Sequence, residues 1–273
     1  MQASSTWTPP AGTLGGILEQ ARARVAVLRQ RAAALERQAA AAPPAAPLIE
    51  ALRGRNVAII AEVKRRSPSK GWIRPELCAP EQALAYQRGG AAAISVLTEP
   101  VHFGGSVEDL VSVREAVEIP VLKKDFHVDP VQMVEARALG ASAALLIARA
   151  LPPLELRQMI DEARRLSLEV LVEVRDEREL ERALELGTQL VGINNRNLET
   201  LKIDPSTSER LLQRVPENII AVAESGVSTR TDIDRLARAG ANAVLVGSTV
   251  SAADDPSDAV KQLAGMQRSP RAH

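Results

Sequence analysis

A glycine that ends a helical stretch and is followed almost at once by small aliphatic residues occurs three times in this chain. The copies are Gly90-Ala-Ala-Ala-Ile-Ser-Val-Leu, Gly140-Ala-Ser-Ala-Ala-Leu-Leu-Ile and Gly240-Ala-Asn-Ala-Val-Leu-Val-Gly. Glycine closes a helix without steric penalty, and the run behind it suits a short buried strand. Aliphatic runs of this type begin near Val57, Ala92, Ile119, Ala143, Leu168, Gln189, Ile219 and Ala243. Their spacing of about 20 to 35 residues is that of a strand, a helix and two loops. Helix starts are marked between them: Asp129-Pro130, Ser106-x-x-Asp109, Asp176 and Thr229. Evenly spaced units of this kind, within 273 residues, predict a (β/α)₈ TIM barrel. An open doubly wound sheet is the alternative, but no Gly-x-Gly-x-x-Gly fingerprint supports it.

Before the first strand, about Leu14 to Ala41 reads as one long helix stopped by Pro43-Pro44, with a shorter helical piece within Ala45–Asn56. The expected organisation is a helical extension over 1–56 packed on the barrel, a catalytic barrel over 57–265, and a flexible tail over 266–273. Together these form a single structural domain.

Composition narrows the function. Lys and Arg number 34 against 34 Asp and Glu, so no basic face for nucleic acid is expected. No apolar run reaches the ~20 residues needed to cross a bilayer, and the opening Met1–Gly12 lacks the features of a signal peptide. The single cysteine, Cys78, fits a reducing cytoplasm and is expected to be partly packed and inert. His102, His127 and His273 show no metal-ligand spacing. Aromatic residues make up 2% of the chain, so any aromatic near a strand end merits attention.

In a barrel, catalysis sits at the C-terminal ends of the strands. Side chains alternate faces, so Glu62 and Lys64 both point into the mouth. Charged or amide groups also close Val121-Leu122-Lys123-Lys124, Val170-Leu171-Val172-Glu173, Gly192-Ile193-Asn194-Asn195-Arg196 and Ala221-Val222-Ala223-Glu224. One such charge is ordinarily solvated or paired. Five strand ends carrying them together describe a site, because unpaired buried charge is costly. Glu224-Ser225-Gly226-Val227 and Val246-Gly247-Ser248-Thr249 lie after strands 7 and 8, where barrels bind phosphate.

The stretch Ile60-Ala61-Glu62-Val63-Lys64-Arg65-Arg66-Ser67-Pro68-Ser69-Lys70-Gly71 closely resembles the first-strand signature of indole-3-glycerol-phosphate synthases. So do Leu122-Lys123-Lys124-Asp125-Phe126, Val172-Glu173-Val174, Gly192 to Leu198, Ala223-Glu224-Ser225-Gly226 and Leu245-Val246-Gly247-Ser248. The likeness runs in order from about Val57 to Pro256. It implies a carboxy-lyase of tryptophan biosynthesis that needs no metal or organic cofactor. The substrate would be small and phosphorylated and carry an anthranilate ring; a monomer without nucleic-acid or membrane partners is expected. By motif position, Lys124 resembles the family's general acid. Glu62, Glu173 and Lys64 resemble its proton-transfer set, and Asn194 a group that orients substrate and Glu173. Arg196 resembles an anion-binding side chain, and Glu224 and Ser225 the sugar-hydroxyl contacts. Ser67, Gly226, Gly247 and Ser248 resemble a phosphate cradle, and Pro68, Phe103 and Phe126 an indole pocket. Two positions depart from the pattern: His102 stands where an aromatic often precedes Phe103, and Val131 where Tyr is common.

Other readings are a phosphate-binding barrel isomerase, a Schiff-base aldolase using Lys124, and a silent binding barrel. The isomerase does not need this combined Lys–Glu–Asn set, and the silent barrel predicts gaps in it that the sequence does not show.

Overall fold

The computed structural model describes residues 7–271. His273 and the first six residues of the opening segment therefore lie outside the described residues.

Eight parallel strands close into a barrel. They are β1 (Ala58–Val63), β2 (Ala93–Leu97), β3 (Val121–Lys124), β4 (Ala143–Ile147), β5 (Glu169–Val174), β6 (Leu190–Asn194), β7 (Ile220–Glu224) and β8 (Ala243–Val246). Each lies within two residues of the start expected from its aliphatic run. Closure is made by β1, which pairs with β2 through Ile60↔Ala93 and with β8 through Ala58↔Ala243. Strand residues are almost wholly buried, because helices cover the outside and side chains fill the inside.

The helix punctuation acts as its chemistry dictates. The Asp176 side chain accepts from Glu179 N at 2.9 Å, and Thr229 with Asp232 forms a reciprocal capping box. Ser106 caps through Asp109 N, while Asp129 accepts from Val131 N ahead of the helix Val131–Ala138. Gly140 and Gly240 close their helices at φ +79° and +88°, a left-handed conformation that a side chain would strain.

Three expectations are corrected. The long first helix is two: α1 (Gly12–Gln30) and α2 (Ala32–Ala41), broken at Arg31. The turn lets Leu35 and Ala39 of α2 pack on Val134 and neighbouring residues of the helix Val131–Ala138. From α1, Leu14, Ile17, Leu18 and Ala21 join the main core. Second, residues 266–271 are not a free tail. Met266 O accepts from Val57 N at 2.7 Å, and the Arg271 guanidinium is buried at the bottom of β7 and β8. It donates to Gly240 O (2.9 Å), Asn242 Oδ1 (2.8 Å), Pro216 O (3.0 Å) and Ile219 O (2.7 Å), so the chain end answers carbonyls that would otherwise lack partners. Third, Cys78 is exposed rather than partly packed.

Candidate active site

Every residue named above for catalysis or substrate binding lines one cavity of about 270 Å³ at the C-terminal end of the barrel. The pleat explains why: alternate residues of β1 carry Glu62 and Lys64 to the same side, and the last residues of β3, β6 and β7 are Lys124, Asn194 and Glu224. Glu173 lies one residue before the end of β5.

Two groups of charges face each other. On one side Lys64 Nζ donates to Glu62 Oε1 at 2.6 Å. On the other, Lys124 Nζ donates to both Glu173 Oε2 (3.1 Å) and Glu224 Oε2 (3.0 Å), spanning β3, β5 and β7. Burial by itself would lower the Lys124 pKa, yet Glu224, Glu173 and Glu62 lift it above the ordinary lysine value. Burial pushes the Glu224 carboxyl up to about 7; Lys124 opposes the rise, and the repulsion of Glu173 and Glu62 adds to it. The ammonium is thus firmly charged at neutral pH while Glu224 exchanges its proton there.

The second oxygen of Glu224, Oε1, is buried without a partner. A Cβ on Gly192 would stand 2.1 Å from it, so only glycine leaves room for this carboxylate. Gly247 makes similar room, since its Cβ would meet Glu62 Oε1 at 2.4 Å and Lys64 Nζ at 2.8 Å.

Asn194 Oδ1 accepts from Arg196 N at 2.9 Å, and Arg196 donates to Leu201 O at 3.0 Å. The amide is thus engaged by the loop after β6 rather than by Glu173. Ser225 and Gly226 are consecutive left-handed residues, at φ +65° and +78°, and Ser248 opens the short helix Ser248–Ser251. A left-handed serine is strained, which is characteristic of functional loops. Across the cavity, the Phe103 and Phe126 rings lie 6.0 Å apart, with Pro68 also in the wall.

The two departures from the family pattern fall outside the cavity. His102 Nδ1 lies 3.4 Å from Glu99, and Val131 packs in the cluster around α2. Trp7 donates to Arg149 O, and Trp72 lies exposed against Arg66. His127 is buried and held well below its ordinary pKa, at about 3, by burial and by Lys123. Its Nδ1 contacts Leu145 O at 2.6 Å, giving it a place in the wall.

Sequence reasoning missed several wall residues, chiefly Thr13 and Ile17 of α1 and Leu198, Leu201 and Ile203 of the loop after β6. For Ile17 a signal existed: Leu14, Ile17, Leu18, Ala21 and Val25 recur at helical spacing and form one buried stripe.

A sequence model of indole-3-glycerol phosphate synthase matches residues 14–263. The chain belongs to the indole-3-glycerol phosphate synthase family. Its synthase relatives include one from Koribacter versatilis, 50% identical over 209 residues that cover 77% of this chain and 80% of that protein. A Nocardioides synthase is 51% identical, covering 82% of this chain and 86% of its own length. Indole-3-glycerol phosphate synthase 2 of Streptomyces coelicolor is 46% identical, at 93% and 99%. The synthase match begins in α1, so it takes in the extension that carries Ile17 to the cavity as well as the barrel. Among solved structures, 3-hexulose-6-phosphate synthase from Salmonella typhimurium has a TM-score of 0.61 at 16% identity. That likeness covers 76% of this chain and 96% of the other, and speaks to the barrel fold alone.

Proposed function

We propose that this chain converts 1-(2-carboxyphenylamino)-1-deoxyribulose 5-phosphate into indole-3-glycerol phosphate, carbon dioxide and water, as a step of tryptophan biosynthesis. The observation that carries the residue assignment is the Lys124 ammonium bridging Glu173 and Glu224 across the mouth.

In the first step the anthranilate ring carbon attacks the ribulose C2 carbonyl, and negative charge grows on its oxygen. Lys124 is the general acid: it is charged at neutral pH, and the alkoxide is far more basic than its amine. Loss of carbon dioxide returns the electron pair to the ring and restores aromaticity, with Lys64 meeting the substrate carboxylate before it leaves. Dehydration needs one group to take a proton and another to release the hydroxyl as water. Glu62, Lys64 and Glu173 supply that set, and Asn194 orients the substrate. All three steps use proton transfer and charge stabilisation by this chain's own side chains.

Ser67, Gly226, Gly247 and Ser248 are assigned to the phosphate, Arg196 to an anionic group, and Glu224 with Ser225 to the sugar hydroxyls. Pro68, Phe103 and Phe126 are assigned to the aromatic ring. The proposed organisation is a helical extension and a catalytic barrel acting as one structural domain. Balanced charge supports a reading without a nucleic-acid partner and the single cysteine a reducing cytoplasm; the proposal is of a monomer with no membrane partner. Among the described residues no helix is long and apolar enough to cross a membrane.

The deciding experiment follows indole fluorescence after addition of the carboxyphenylamino-deoxyribulose phosphate to purified protein. Steady appearance of indole-3-glycerol phosphate supports the proposal, and its absence from well-folded protein overturns it. Borohydride added during turnover separates the aldolase reading: a covalent adduct on Lys124 would remove the acid role.

A further inference from the structure

The only tyrosine in the chain is fully buried behind β1, on the helix Ala79–Arg88. The hydroxyl of this residue, Tyr86, lies 2.9 Å from Gln82 Nε2, 3.2 Å from Ser251 Oγ and 3.3 Å from Glu62 O. Ser251, also fully buried, ends the short helix that begins at Ser248. Its hydroxyl donates to Glu62 O at 2.9 Å and accepts from Lys64 N at 3.3 Å.

One assignment of protons satisfies the whole group. Gln82 donates to Tyr86, Tyr86 shares its proton between Ser251 Oγ and Glu62 O, and Ser251 donates to Glu62 O while accepting from Lys64 N. Each hydroxyl then both gives and receives, which makes the unit rigid. Ser251 therefore grips the backbone on both sides of Val63, at the two residues whose side chains form the 2.6 Å pair in the mouth. The opposite end of the same helical turn lies beside those side chains. Ser251 N donates to Gly247 O at 2.9 Å, and Gly247 is the residue whose missing Cβ leaves room for Glu62 and Lys64.

We infer that Ser251, locked by Tyr86 and Gln82, is a positioning residue for the reaction: it fixes the end of β1 so that Glu62 and Lys64 meet the substrate in register. The inference rests on the assignment of that pair to catalysis. It also puts the proposed phosphate residues Gly247 and Ser248 on the same rigid piece as the pair, so substrate phosphate and proton-transfer groups share one reference point.

The test is a double-mutant cycle of Ser251→Ala with Lys64→Met, read as kcat, KM and Tm on the full chain. Ser251→Ala is expected to lower kcat by about 10-fold with KM changed less than about 3-fold, as a small displacement of catalytic groups does. In the Lys64→Met background it should lower kcat less than about 2-fold further, because the residue acts through that pair. Tyr86→Phe, which leaves Ser251 its bond to Glu62 O, should lower kcat by about 3-fold and serves if Ser251→Ala does not fold. A Tm loss with unchanged kcat in these variants, or full additivity in the cycle, overturns the inference. Near-normal turnover of Lys64→Met by itself would instead overturn the assignment of the pair.

Discussion

Lys123 and Lys124 are neighbours in the chain and face opposite sides of β3. Lys124 enters the mouth; Lys123 enters the wall beneath α1 and the helix Val131–Ala138. Both are buried among carboxylates, but the two surroundings are built differently. In the wall, Lys123 has Glu135 at 2.8 Å and the His127 ring at 3.2 Å. Asp125 there takes both Arg24 nitrogens (2.8 and 3.1 Å), Thr98 Oγ1 (2.6 Å) and Phe126 N (2.7 Å). Each oxygen of Asp125 is thus occupied, and its pKa lies far below the usual carboxylate range: burial works against this, while Lys123 and Arg24 prevail. In the mouth, three carboxylates share two lysines, Glu224 Oε1 is buried without a partner, and the Glu224 carboxyl is held near 7. A buried carboxylate with both oxygens answered, as Asp125 is, stabilises a fold; one with an oxygen left open, as Glu224 is, leaves capacity for a substrate.

The comparison can be broken most directly at the wall. Lys123→Met leaves the buried Asp125 and half-buried Glu135 with less compensation and should lower unfolding free energy by about 3–5 kcal/mol, measured by urea denaturation. Activity per folded molecule should stay within about 3-fold of the parent; a stable but inactive variant would erase the division of labour. Lys124→Met should show its main effect in chemistry. Turnover per folded molecule is expected to fall at least ~10²-fold, equivalent to about 2.7 kcal/mol, beyond any loss of Tm from unpairing Glu173 and Glu224. Near-normal turnover would mean that another group supplies the proton.

The two regions should also respond to pH with opposite sign. The Glu224 carboxyl has a folded pKa of about 7, above its ordinary value of 4.5, so its ionisation works against the fold as pH rises from about 4.5 to 7. Glu224→Gln should gain stability relative to the parent across that window, by on the order of 1–3 kcal/mol, and no further above it. Asp125, depressed in the fold, contributes fully above its ordinary value of 3.8 and loses that contribution as pH falls below it. A stability difference between parent and Glu224→Gln that is flat from pH 4.5 to 7 would contradict the sign. The smallest effect is expected from Arg24→Ala, where the guanidinium is partly solvated: about 1 kcal/mol of stability, read from the same denaturation curves. A loss as large as that of Lys123→Met would show that α1, not β3, anchors the wall.

Much of this arrangement was legible in the sequence because it is local. A glycine followed by aliphatic residues encodes a helix end and a buried strand within eight positions, and the two-residue alternation places Glu62 with Lys64 without any knowledge of the rest. What escaped depends on partners far along the chain. Nothing near Arg31 signals that the helix must turn there; the reason is the surface offered by Val131 and Val134. Gly192 looks like any small strand residue until Glu224 is seen folding its carboxylate into the vacant space. Ser251 and Tyr86 are 165 positions apart, and their shared hydrogen bond exists only after the barrel has closed.

Closure has a consequence for how this protein is made. β1 emerges from the ribosome early, yet its second neighbour, β8, spans residues 243–246, and Val57 N waits for Met266 O. Until β8 has been synthesised, a hydrophobic parallel strand is left with one edge open, the state most prone to wrong association. The clasp of Ser251 on the end of that strand forms in the same late interval. A chain cut short of β8 would therefore lack both its barrel seam and the clasp on the end of β1.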